Sequence, residues 1–80
     1  MVNINRLKAA IIERGMSIES VAKASGIEKT GLYRRIKSGG GKFTIDEVEA
    51  LSKAMGLGYH EINRIFFDQL VASDANEARQ

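Results

Sequence analysis

The 80-residue chain has no cysteine, no proline and no tryptophan, and its aromatic side chains are three Phe and two Tyr. Without cysteine, neither a disulfide framework nor a thiolate metal site can hold it together. Its one histidine, His60, cannot form a metal site alone. No Ser, Cys or acid near it is arranged as a catalytic triad requires, so His60 reads as an ordinary helix-start or surface residue. No apolar run approaches the ~20 residues needed to cross a bilayer. The first residues lack the charged-then-apolar order of a secretory signal. A chain this short builds one small core and rarely encloses a substrate cavity. These absences predict a soluble, cytoplasmic protein that is not an enzyme and requires no cofactor, metal or small-molecule ligand.

The missing proline, set beside abundant Ala, Leu, Ile, Lys, Arg and Glu, favours an all-α chain: a compact bundle of about five short helices. Helix 1 is expected to start at Asn3 or Asn5, either of which can cap free N–H groups, and to run to Arg14, where Gly15 stops it. Ile4, Leu7, Ala10 and Ile11 form its apolar stripe. Ser17 caps helix 2, expected over residues 18–25, with Glu19 in the first turn against the positive end of the helix dipole. Thr44 and Glu47 form a capping box that opens helix 4, whose stripe is Ile45, Val48, Leu51 and either Ser52 or Met55, up to Gly56. Helix 5 is expected over residues 59–70, with Ile62, Ile65 and Phe66 facing inward. A helix-turn-helix domain with its C-terminal helix thus fills residues 1–71, and the polar residues 72–80 read as a disordered tail.

Charge is distributed unevenly. Residues 1–43 hold nine Lys and Arg against three Glu, whereas residues 44–80 hold three basic residues against seven acids. Between Lys29 and Lys42 there are five basic residues and no acid. That segment coincides with the most informative stretch of the chain, residues 17–39, SIESVAKASGIEKTGLYRRIKSG. Here a short helix carries Val21 and Ala22 on one face, Gly26 breaks it, and a second helix over about residues 28–38 turns Leu32 and Ile36 inward. A turn of three or four residues between steeply crossing helices calls for a positive φ, which glycine reaches without steric penalty. Small Ala22 suits a close helix crossing. The second helix carries Lys29, Thr30, Tyr33, Arg34, Arg35 and Lys37, a load suited to an anionic surface.

Val21-Ala22, Gly26-Ile27 and Leu32-Tyr33-Arg34-Arg35-Ile36 resemble the helix-turn-helix family of phage repressors and Cro-like regulators, the lambda-repressor-like DNA-binding domains. The likeness spans roughly residues 3–67. It implies that helix 3 enters the major groove of double-stranded DNA while helix 2 and nearby loops grip the backbone. Three positions depart from the family pattern: Ile18 stands where many relatives carry glutamine, Glu28 where Ser, Thr or Asn is commoner, and Gly31 inside the recognition helix.

Spacing places Lys29, Thr30, Arg34 and Lys37 opposite Leu32 and Ile36 or on the flank of that face. Arg35 lies to one side, toward backbone phosphate. Ser17 and Lys42 complete the expected DNA contacts. Tyr33 fits either the edge of the core or a groove contact with a thymine methyl or phosphate. Glu28 can accept from a cytosine amino group, but capping the helix with its charge fits better. The glycines at 39–41 are not a phosphate-cradling loop, since no Gly-Lys-Ser/Thr follows and no strand precedes them. They read as a connector above a buried Phe43. Phe67, Leu70 and Val71 exceed what one small core can hide and suggest a homodimer contact. The expected function is a sequence-specific regulator, a phage-type repressor or Cro-like protein binding a near-palindromic operator as a homodimer near the nucleoid. The competing reading is a protein-interaction module on the same scaffold, an antirepressor or antitoxin-like adaptor.

Overall fold

A computed structural model describes residues 2–39 and 43–67. It contains five helices among the described residues: α1 (Ile4–Glu13), α2 (Ile18–Ser25), α3 (Lys29–Lys37), α4 (Ile45–Met55) and α5 (Tyr59–Phe66). Each start is set by local chemistry. The Asn3 side chain accepts from the Arg6 N–H, and Ser17 and Ser20 cap α2 reciprocally. At α4, the Thr44 hydroxyl accepts from the Glu47 N–H while the Glu47 carboxylate accepts from the Thr44 N–H. Such caps satisfy N–H groups that the helix itself cannot reach.

The core draws on every helix. Leu7, Ala10 and Ile11 of α1 meet Val21 and Ala22 of α2, Leu32 and Ile36 of α3, Leu51 and Met55 of α4, and Ile65 and Phe66 of α5. Helix α2 packs against both α3 and α4, and α1 packs against α5. Phe43 is half-buried against the core, its ring edge-on to Phe66 at 6.0 Å between centroids. Ser52 is buried and donates its hydroxyl proton to the Val48 carbonyl at 2.7 Å, and no buried side-chain polar atom lacks a partner among the described residues.

Arg14 ties the two ends of this bundle together. Capping the C-terminus of α1, it donates from Nε to the Met55 carbonyl at 2.6 Å and from one terminal nitrogen to both Glu61 oxygens at 2.8 Å. The Asn3 N–H adds a bond to the Ile65 carbonyl. Three helices are thereby joined around the exit of the first one. Among the described residues, no helix is long and apolar enough to cross a membrane.

Two expectations need correction. Ile45 does not join the α4 stripe: it is 76% exposed. The buried side is set by Leu51, Ser52 and Met55, and Ile45 sits in the first turn at the margin of that arc, beyond the core's reach. Helix α5 ends at Phe66 with Phe67 as its C-cap. Its expected continuation to Leu70, like the tail, falls outside the described residues.

Candidate nucleic-acid interface

The site begins with the turn that aims α3. Gly26 takes φ +79°, the left-handed conformation the spacing predicts, and caps α2 by donating its N–H to the Ala22 carbonyl. The Ile27 N–H reaches the same carbonyl at 3.1 Å, and Ser25 links both sides of the turn through its hydroxyl. The crowding expected at Gly26 is not found, because a Cβ built there meets nothing within 4 Å. Backbone conformation alone demands glycine here.

Leu32 and Ile36 then anchor α3 in the core. At about 100° per residue, Thr30, Arg34 and Lys37 are carried to the opposite side, where all three are exposed. Tyr33 and Arg35 leave the core face on opposite flanks and meet different fates. Tyr33 is 50% exposed and shares a shallow pocket of about 190 Å³ with Lys8, Ile18, Ile36 and Lys37. It borders the core while leaving half its surface to solvent. Lys8 is the residue sequence reasoning missed: it lies on α1, far along the chain from Lys37, and the two line one pocket with Ile18 of α2.

Arg35 points toward α4. It donates to Glu47 at 2.7 Å, and its guanidinium lies 5.2 Å from the centre of the Phe43 ring. The Arg35 hydrogen bond, reinforced by the Thr44 N–H, holds the Glu47 carboxyl below its ordinary pKa. So the side chain expected to touch phosphate is engaged within the protein, joining α3 to α4.

The other expected residues are distributed as follows. Lys29 pairs with Glu19 across the two helices at 3.3 Å, both side chains being well exposed, a kind of pair that contributes little free energy and is screened by salt. Ser17 is exposed, and its hydroxyl already accepts from Ser20 as the α2 cap. Glu28 is the N-cap of α3, yet its side chain makes no capping hydrogen bond, so any support it gives the helix is through its charge. Lys42, Leu70 and Val71 lie outside the described residues. Phe67 is half-buried against its own core.

A family model described as helix-turn-helix matches residues 7–62, the span from Leu7 on α1 into α5. The chain belongs to the Cro and C1 type of that family. It is accordingly a DNA-binding helix-turn-helix regulator. Neither curated proteins nor solved structures give a significant match.

Proposed function

We propose that this helix-turn-helix protein is a repressor of the phage or Cro-like kind, acting as a homodimer on a near-palindromic operator. The observation that carries the reading is the division of labour along α3. Thr30, Arg34 and Lys37 stand free on one face, while Leu32 and Ile36 fix the other in the core. Arg34 and Lys37 have no ion-pair partner among the described residues. On this reading Arg34 reads a base edge or clamps a phosphate, Thr30 and Tyr33 contact bases or methyl groups, and Lys8, Lys29 and Lys37 neutralise backbone charge. Ser17 lies at the α2 N-terminus, whose backbone N–H groups suit a phosphate. Lys42 would extend the grip beyond α3, and Arg35 serves as a strut that sets the helix angle.

One recognition helix contacts too few base pairs for useful selectivity, so a second copy on the other half-site supplies the remainder. The protein-adaptor alternative draws on Ile18, which packs against the core and puts no polar group in the first turn of α2. Selection of bound sequences from random duplex DNA tests the proposal. It should enrich an inverted repeat with half-sites about one helical turn apart. Recovery of unenriched DNA would overturn the reading as a sequence-specific repressor.

A further inference from the structure

On the flank of α4 that borders the core, Ile45 stands exposed beside a groove of about 530 Å³, which also includes the half-buried Val48, Leu57 and Ile62 in its walls. Glu49 and Lys53 border the same groove, and both are exposed. Neither has an ion-pair partner among the described residues, although Glu followed by Lys four positions later is the order in which a helix favours an internal pair.

The order of these residues is self-complementary. Glu49 and Lys53 lie two positions either side of Leu51, and Ile45 and Leu57 lie six positions either side of it. Reversed about the level of Leu51, the pattern apolar–acid–base–apolar becomes apolar–base–acid–apolar. Two copies of α4 crossing antiparallel about a two-fold axis would therefore set each Glu49 against the other copy's Lys53, while Leu57, which follows the left-handed Gly56 beyond the helix, stays in the wall of the groove beside which Ile45 stands. An isologous contact requires this kind of pattern, in which residue i meets j and j meets i.

We infer that this face of α4 is the surface through which a second copy of the chain docks, with Ile45 entering the partner's groove beside Leu57 and with reciprocal Glu49–Lys53 pairs fixing the register. The inference rests on the homodimer reading above and gives it a surface. It also differs from the expected contact through Phe67, Leu70 and Val71. An exposed apolar side chain beside an apolar groove supplies contact area, and charges of opposite sign set the orientation.

The test is a charge exchange followed by sedimentation at high micromolar concentration, with circular dichroism to confirm folding. Wild type is expected to sediment as a dimer. Glu49→Lys alone and Lys53→Glu alone each place like charges opposite one another, and each should weaken self-association by more than about tenfold. An equimolar mixture of the two restores both pairs and should sediment as a heterodimer. An internal Glu49–Lys53 pair within one helix would give no such rescue. Retention of the dimer by both variants, with its loss in Leu70→Asp, would overturn the inference in favour of the C-terminal surface. A monomeric wild type would overturn it outright. Binding of random duplex DNA by the same variants is scored separately. Both substitutions lie off α3, so failure of the DNA reading and failure of the docking surface give different results.

Discussion

Arg35 and Glu47 form a 2.7 Å ion pair that joins the recognition helix to the first turn of α4. The same Glu47 carboxylate accepts the Thr44 N–H at 2.9 Å, and the same guanidinium covers the Phe43 ring. One pair of residues thus caps a helix, covers an aromatic ring and ties α3 to α4. Its neighbour Arg34, one residue earlier, is exposed on a different side of the helix.

Substituting these two arginines should separate binding from folding. Arg34→Ala is expected to keep the melting temperature and to lose about 1–3 kcal/mol of operator affinity. Arg35→Ala should instead lower stability by about 1–2 kcal/mol, through the lost ion pair and ring contact. Lys53→Ala and Arg64→Ala, away from α3, should leave the affinity of one protomer for a half-site nearly unchanged. Thermal melts and half-site titrations on the same four variants check this. Equal affinity losses at Arg34, Lys53 and Arg64 would mean that the binding surface lies elsewhere.

Gly26 should be intolerant of side chains for a conformational reason only. With φ +79° and open space around it, Gly26→Val is expected to cost more than about 1 kcal/mol from backbone strain. Gly26→Asn should cost less, since Asn enters the left-handed region more easily. Urea unfolding midpoints rank the two. A Val variant as stable as wild type would remove the left-handed turn from the account.

Gly31 behaves differently. Its φ is not positive, and a Cβ there would make ordinary contacts of 3.7 Å with Glu28 and 4.0 Å with Arg35. Gly31→Ala is therefore expected to stabilise the protein by up to about 1 kcal/mol through helix propensity. A fall in the unfolding midpoint would show that the first turns of α3 require the glycine.

Acid should weaken the fold through two glutamates. Hydrogen bonds from Arg35 and then Thr44 lower the pKa of Glu47, and those from Arg14 and then Gly58 lower that of Glu61. For a carboxyl whose folded pKa is depressed, the unfolded chain takes up its proton first. The stabilisation is complete above the ordinary glutamate pKa and is lost as pH falls through the lower, folded values. Melting temperature should accordingly decline as pH drops below about 4.5, and Glu61→Gln should make that decline shallower. An unchanged pH profile in Glu61→Gln would exclude the Arg14–Glu61 pair as a contributor.

The parts of the fold written in local chemistry were legible in the sequence. Asn3, Ser17 and Thr44 announce helix starts because a short polar side chain reaches N–H groups within three residues. Gly26 and Gly56 announce stops because the left-handed cap favours glycine. The Leu32 and Ile36 anchors follow from helical spacing, and with them the outward placement of Thr30, Arg34 and Lys37. What escaped was long-range. Arg14 finds Glu61 at a separation of 47 residues and Arg35 finds Glu47 at 12, and a basic residue on a helix carries no local sign of an acid waiting on another. Lys8 joins the candidate site for the same reason. Ile45 was misjudged because spacing alone does not show where the core ends beneath a helix's first turn.

The central claim is that the exposed face of α3 grips DNA phosphate and base edges. Its most direct test is the affinity of the full chain for duplex DNA across a salt series. The account predicts measurable binding at low salt, with the logarithm of the association constant falling linearly and steeply against the logarithm of salt concentration as counterions are released. Arg34→Ala should weaken binding, and Lys37→Ala should reduce the slope by about one phosphate contact. Absence of binding to duplex DNA at low salt, or binding with no salt dependence, would contradict the claim and leave the protein-adaptor reading in its place.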